Sequence, residues 1–259
     1  MNSFKLTDIF KAYSKSPYRS IKHSSYFHTY SELLESYRNK KITFVEIGVL
    51  DGGSLFMWRK FFGPKARIIG IEFNPNAKRW EKDGFEIYIG SQSDTKFWDS
   101  FFKKVGSVDI ILDDGGHTNE QQIVTAHKTI PHIKDGGLLI VEDTHTSYMT
   151  RFGNPSDVSF ISWTKGLIDN INSRFPNIHR SNLIYKNYVH SIRFFESIVC
   201  FYVDRTKCLE NSSVINKGIS VGARDYRHKG TSLEKIRMKS RWISWIYLKI
   251  KEQKLRKYF

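Results

Sequence analysis

A chain of 259 residues with 40% hydrophobic and 15% aromatic side chains has enough apolar mass for one α/β domain with elaborations, which excludes a disordered chain. The formal net charge of +15 raises nucleic acid as a partner, but its distribution disfavours that reading. From Lys41 to Met149, 13 Lys/Arg face 15 Asp/Glu, whereas from Arg205 to Phe259 the balance is 15 against 4. An enzyme acting on nucleic acid would carry its basic surface around the pocket, not in a tail. Cys200 and Cys208 make no disulfide framework, Met1 to Ser16 has no continuous apolar leader, and no apolar run is long enough to span a bilayer. The expectation is a cytoplasmic protein.

In chain order, the first 40 residues are aromatic-rich (Tyr13, Tyr18, Tyr26, Phe27, Tyr30) and read as a helical cap or lid. Strands are predicted near 42–47, 67–71, 85–89, 108–113 and 137–142, and helices near 53–62, 75–82, 94–104 and 118–131. This alternation implies a parallel sheet with right-handed crossovers. After Thr150 the pattern changes to a helix from Asp157 to Arg174 and two strands near 183–189 and 196–203. Those late strands supply an antiparallel edge. The expectation is a doubly wound, Rossmann-like, seven-stranded and mostly parallel sheet, with boundaries at 1–40 for the cap, 41–204 for the α/β domain and 205–259 for a basic extension.

Two acidic pairs dominate the middle of the chain. Asp113-Asp114-Gly115-Gly116-His117 follows the run Ile110 to Leu112, and Glu142-Asp143 follows Leu138 to Val141. Both pairs therefore emerge at the carboxyl edge of the sheet, where open α/β folds place their sites. Clustered carboxylates repel unless a cation compensates, and oxygen ligands of this kind suit a hard ion such as Mg²⁺. Capping the helix that begins near Asn119 would need one acid, yet four stand at two strand ends. His117 puts a titratable nitrogen beside them; His145, two residues past Asp143, is the rival base.

Glycine marks the turn after the first strand. Glu46-Ile47-Gly48-Val49-Leu50-Asp51-Gly52-Gly53-Ser54 leads into a helix with Leu55, Trp58 and Phe62. Such a turn lets a ligand approach the backbone at a helix amino terminus. Its G-x-x-x-G spacing departs from the dinucleotide fingerprint, which argues against NAD. Glu72 ends the second strand, where an acid commonly holds ribose hydroxyls, and Gly90-Ser91-Gln92-Ser93-Asp94 forms a third turn at the same edge.

Taken in order, E-x-G-x-x-x-G-G-S, G-I-E, G-S-Q-S-D, D-D-G-G-H and V-E-D-T-H-T-S-Y resemble the class I S-adenosylmethionine-dependent methyltransferases. More narrowly, they are similar to the Mg²⁺-dependent sugar O-methyltransferases of macrolide tailoring (the mycinamicin and macrocin type) and their relatives in bacterial glycan gene clusters. The likeness runs from about Ser20 to Tyr202. It implies metal ligation by Asp114, Glu142 and Asp143, with His117 as general base. It implies S-adenosylmethionine binding by Glu46, Gly48, Gly52, Ser54, Glu72, Ser91, Gln92, Ser93 and Asp94, with Asp113 orienting the cofactor or a loop. The implied acceptor is a hydroxyl of a sugar in a surface glycan or glycosylated metabolite, free, lipid-linked or polymeric. Arg193 stands where the family pattern has a histidine. His23 and Tyr26 are candidates to close over the cleft. A homo-oligomer is open, as are a catechol-type or RNA methyltransferase and a non-catalytic binding module.

The segment Leu233 to Phe259 reads as one helix, without proline or glycine, that mixes Lys and Arg with Trp242, Ile243, Trp245, Ile246, Tyr247, Leu248 and Ile250. Tryptophan and tyrosine among basic residues suit a bilayer interface. The expectation is peripheral contact with the inner face of the cytoplasmic membrane, against packing on the chain's own domain or on another subunit.

Overall fold

Short β-branched and apolar runs separated by glycine-bearing turns give the strands, and longer runs with apolar residues at helical spacing give the helices between them. In the computed structural model, the structure describes residues 3–152, 158–176, 178, 184–222 and 231–256. The strands are β1 (Thr43–Ile47), β2 (Arg67–Glu72), β3 (Glu86–Ile89), β4 (Val108–Asp113), β5 (Ile133–Val141), β6 (Val189–Phe195) and β7 (Ile198–Val203). They form one sheet in the order β3-β2-β1-β4-β5-β7-β6. β1 to β5 are parallel, while β7 is antiparallel to both β5 and β6. This is the doubly wound, mostly parallel sheet expected from the sequence.

The strand order reverses between β1 and β4, and a crevice opens at the carboxyl ends there. Register decides what lines it. Ile47 pairs with both Ile71 and Asp113, and Asp113 pairs with Val141. The next residue of each strand end, Gly48, Glu72, Asp114 and Glu142, therefore falls in one row along the edge. Backbone bonds extend that row beyond the strands: Gly48 N donates to Ile71 O at 2.9 Å, Asp114 N to Ile47 O at 3.0 Å and Glu142 N to Asp113 O at 2.9 Å.

Alternation along β1 sends Phe44 to one face and Val45 and Ile47 to the other. On the first face lie helices α1 (Asp8–Ser14), α2 (Tyr26–Leu34) and α3 (Gly53–Phe62), whose Tyr30, Trp58 and Phe62 pack around Phe44. On the second, α4 (Thr95–Val105) and α5 (Asn119–Thr129) bring Trp98, Phe101 and Ala126. Glu46, also in β1, is fully buried on the α3 side. Its carboxylate accepts from Ser54 Oγ at 2.7 Å and Trp58 Nε1 at 2.9 Å. Burial pushes its pKa up, and Lys22, Trp58 and Ser54 limit the rise to about 7.

Several expected elements are reshaped. Residues 75–83 form a 3₁₀ rather than an α-helix, after Pro75. Of the helix expected from Asp157 to Arg174, Asp157 lies outside the described residues, and the remainder breaks after Gly166 into α6 (Phe160–Gly166) and α7 (Ile168–Asn172). The strand expected near 183–189 begins only at Val189, residue 183 being outside the described set. Arg174 explains the shift: its guanidinium donates to the carbonyls of Lys186, Val189 and His190, which holds that stretch as a turn. The next strand starts at Ile198 instead of 196, because Ser197 turns the hairpin with a left-handed φ of 61°.

The chain divides into two compact units, Met1–Ser212 and Ser213–Phe259. The first holds the sheet and the amino-terminal cap, whose α1 and α2 flank an irregular stretch at 15–25. The second holds α8 (Ser232–Lys239) and α9 (Arg241–Leu255). The single helix expected from Leu233 to Phe259 is thus interrupted at Ser240, whose hydroxyl caps α9 by accepting from Ile243 N; Phe259 lies outside the described residues. Among the described residues no helix is long and apolar enough to cross a membrane.

Trp58 is the joint between core and crevice, since it fills the space under β1 and donates to Glu46. Trp58→Ala should cost about 3–5 kcal/mol in denaturant unfolding, the range for deleting a buried aromatic. Trp58→Phe keeps most of the volume and removes only the donor, so a loss of about 1–3 kcal/mol is expected.

Candidate active site

A cleft of about 560 Å³ opens along the row of strand ends. One end is built by the turn after β1. Gly48 has φ +90°, and a Cβ there would stand 2.1 Å from the Asp114 carbonyl oxygen, so only glycine lets the turns after β1 and β4 meet. Leu50 beside it is also left-handed, at φ 45°. Glu72 reaches across from β2: its Oε2 accepts from Val49 N and Leu50 N at 2.8 and 3.1 Å, its Oε1 from Phe73 N and Asn74 N at 2.9 and 3.0 Å. Burial would raise its pKa, but these four amides outweigh it and hold the carboxyl below its usual value. Glu72 is therefore a carboxylate that ties two turns together and still faces the cleft.

The third turn contributes Ser91 and Gln92 to the wall. Gln92 is buried; its Nε2 donates to both oxygens of Asp113 at 2.9 and 3.0 Å, and its Oε1 accepts from Gly116 N at 2.9 Å. Asp113 itself lies behind the wall, raised to about 6 by burial against the donors around it. The candidate cofactor residues thus fall into two sets. Gly48, Ser54, Glu72, Ser91 and Gln92 line the cleft. Glu46, Gly52, Ser93, Asp94 and Asp113 do not: Gly52 precedes α3 with φ 80°, and Asp94 caps α4 by accepting from Lys96 N at 2.8 Å.

The other end carries the acids. Oxygens of Asp114 and Asp143 and a ring nitrogen of His117 all lie within 4.8 Å of one another, close enough to share one cation. His117 Nε2 is 3.4 Å from Asp143 Oδ2 and 4.0 Å from Asp114 Oδ1, while its buried Nδ1 has no hydrogen-bond partner. His117 and Asp143 both adopt left-handed backbone, at φ 60° and 53°, so two sparsely populated conformations stand side by side at this end of the cleft. Asp143 is clamped from two directions by Tyr26, whose hydroxyl donates to Oδ1 at 2.5 Å and accepts from Asp143 N at 3.2 Å. His23 and His145 approach the same carboxylate, at 3.7 and 4.0 Å. His145 Nδ1 is engaged with Ser197 Oγ at 2.5 Å, so of the two candidate bases His117 is the one facing both acids.

Glu142 is fully buried and accepts from the Tyr30 hydroxyl and from Lys22; it lines the same cleft but stands outside the Asp114–His117–Asp143 group. Lys22 is the residue that sequence reasoning missed. Its ammonium lies 2.5 Å from Asp114 Oδ2 and 3.0 Å from Glu142 Oε2. Burial would lower its pKa, but Asp114, Glu142 and Glu46 outweigh that and keep it above the usual lysine range. A cation thus already sits on the carboxylates, which shows that this donor set fits positive charge. Arg193 points elsewhere, into an ion pair with Glu32 of α2.

Glu72→Gln offers one acceptor oxygen where the carboxylate offers two. It should leave up to two backbone N–H groups unsatisfied, costing about 1–3 kcal/mol. Hydrogen exchange should rise at Val49, Leu50, Phe73 and Asn74 together; a change confined to one turn would contradict the shared tether.

Comparison with known proteins agrees with this geometry. Residues 45–144 match a family model described as a methyltransferase domain. The mycinamicin VI 2''-O-methyltransferase of Micromonospora griseorubida is 30% identical over 187 residues, covering 64% of this chain and 46% of that protein. The demethylmacrocin O-methyltransferase of Streptomyces fradiae is 28% identical over 187 residues, covering 64% and 47%. The chain thus spans about half the length of these curated relatives. Among solved structures, the MycE methyltransferase of the mycinamycin biosynthetic pathway, in complex with Mg and SAH, superposes with a TM-score of 0.70 at 25% identity, over 82% of this chain and 58% of that one. In fold, cleft and motifs the chain is similar to class I methyltransferases, and in particular to the sugar O-methyltransferases of the mycinamicin and macrocin type.

Proposed function

We propose that the protein is an S-adenosylmethionine- and Mg²⁺-dependent O-methyltransferase acting on a sugar hydroxyl. The observation that carries this reading is a single cleft joining the Gly48–Glu72 turns at one end to Asp114, His117 and Asp143 at the other. In this reading Gly48, Ser54, Glu72, Ser91 and Gln92 hold the cofactor, and Asp114, Asp143 and Glu142 hold the ion. The sulfonium supplies an electrophilic methyl group, and the ion stabilises negative charge on the acceptor oxygen.

The chain's own residues supply the rest. His117 Nε2 takes the proton of the acceptor hydroxyl, a contribution typically worth about 10²–10⁴-fold. Tyr26 fixes the Asp143 carboxylate, and its own phenol, raised by burial and by Asp143, stays a donor. The wall formed by residues 19–23 excludes water from the same space. What remains is the positioning of two substrates for in-line transfer.

The test uses labelled S-adenosylmethionine with panels of glycosides and catechols. Transfer to glycosides, abolished by EDTA and reduced about 10²–10⁴-fold in His117→Ala, is expected. Activity that survives the chelator contradicts the metal role, and transfer to catechols alone favours the aromatic alternative. S-adenosylmethionine at about 100 times its Kd should add ~2.7 kcal/mol of thermal stability, and no shift favours a non-catalytic module.

A second reading concerns the carboxyl-terminal unit and the acceptor. In α9, Trp242, Ile246 and Ile250 stand four residues apart with Ile243 and Tyr247 beside them, and Trp242 and Ile250 are 70% and 54% exposed. With the surrounding Lys and Arg, this stripe supports attachment to an anionic membrane surface, where a lipid-linked acceptor would be presented. The full chain should co-sediment with phosphatidylglycerol vesicles at low salt and lose most of that binding after deletion of 233–259. Failure of the full chain to co-sediment overturns the membrane reading.

A further inference from the structure

The irregular stretch between α1 and α2 is held at both ends of the cleft. At the cofactor end, Ser16 Oγ donates to Gly53 O at 2.7 Å, and a Cβ at Gly53 would stand 2.3 Å from Tyr18 O and 2.4 Å from Arg19 O. At the acidic end, Lys22 inserts its ammonium between Asp114 and Glu142. The Lys22 side chain is only 1% exposed, with the ring of Tyr30 5.9 Å from its ammonium. It touches one oxygen of Asp114 and both oxygens of Glu142, at 2.5, 3.3 and 3.0 Å.

Those contacts matter for a divalent ion. Mg²⁺ and Mn²⁺ bind carboxylate oxygens at about 2.1 Å and tolerate little distortion of their coordination shell. An ion on Asp114 and Glu142 would need the lone pairs that Lys22 now uses, and would stand within a few ångströms of a second positive charge. Repulsion between two cations at that range, away from bulk water, is strong. With 1% of its side chain exposed and its ammonium held by two carboxylates, the lysine cannot leave without disturbing the stretch that carries it. We propose that Lys22 is a built-in competitor for the divalent ion, so that metal entry requires residues 15–25 to release from Asp114 and Glu142. Metal affinity is then set by a residue of the cap, and the same movement alters the cofactor wall at Arg19 to His23. This rests on the reading that Asp114 and Glu142 help to hold the ion.

The experiment uses the full chain, wild type and Lys22→Met, with Mn²⁺ as the probe, and follows free Mn²⁺ by electron paramagnetic resonance without cofactor. The variant should bind Mn²⁺ at least tenfold more tightly, and Mn²⁺ should raise its melting temperature more than that of the wild type. A lysine that merely supported the fold would leave the affinity equal or weaken it, and either result overturns the proposal. No saturable binding by either protein overturns the metal reading itself, and this inference with it. A measurement on the wild type alone guards against a variant that does not fold: amide exchange across residues 16–25 should rise with saturating Mn²⁺. Unchanged or slower exchange there means that the segment stays seated and the competition does not occur.

Discussion

The structure is organised around negative charge gathered in a place with little water. Glu46, Asp113 and Glu142 are each at most 1% exposed, and Asp114 and Asp143 stand beside them at the same sheet edge. Isolated carboxylates would not tolerate this burial. Each is answered by a donor: Ser54 and Trp58 for Glu46, Gln92 for Asp113, Lys22 and Tyr30 for Glu142, Lys22 again for Asp114, Tyr26 for Asp143. The answering groups come from α3, from the turn after β3 and, above all, from the amino-terminal cap. The cap is therefore part of the electrostatics of the site, and the parallel sheet alone would leave its acids uncompensated.

That dependence explains what was legible in the sequence and what was not. The five parallel strands announce themselves as apolar runs, and three of them end at or next to an acid, so Glu72, Asp114 and Glu142 could be set on one edge before any coordinates. Gly48 was legible because a strand-to-helix turn in close contact with a neighbouring turn demands glycine. Lys22 carried no such signal. Its partners lie 92 and 120 residues away, and it sits in a stretch with no periodicity, flanked by residues typical of any loop. That Glu142 meets Lys22 and Tyr30 while Asp143 meets Tyr26 and His117 was not legible either, because adjacency in sequence says nothing about which partners two side chains find.

The later part of the chain fared worse for a related reason. β6 is an edge strand with only Val189 buried, so its sequence lacks the apolar density that marks β4 and β5. Its start is set by Arg174 binding backbone carbonyls 12 to 16 residues ahead, a tertiary contact that overrides local preference. The expected tail helix was helical in kind but not continuous. Ser240 reads as an ordinary polar residue within a helix, yet its hydroxyl is more useful at an amino terminus than in the middle of a turn.

Asp143 carries a consequence of its own. The turn at this position is left-handed, and the neighbouring carboxylates meet different partners, Glu142 the groups of Tyr30 and Lys22, Asp143 those of His117 and Tyr26. Among residues with a side chain, asparagine and aspartate visit that conformation more readily than most. The position is thus restricted twice over, once by the backbone and once by charge, and the two restrictions leave a vocabulary of almost one word. Asparagine would keep the turn and lose the charge; glutamate would keep the charge and strain the turn. A bulkier or branched residue here would strain the turn and shift the corner that Tyr26 and His117 share.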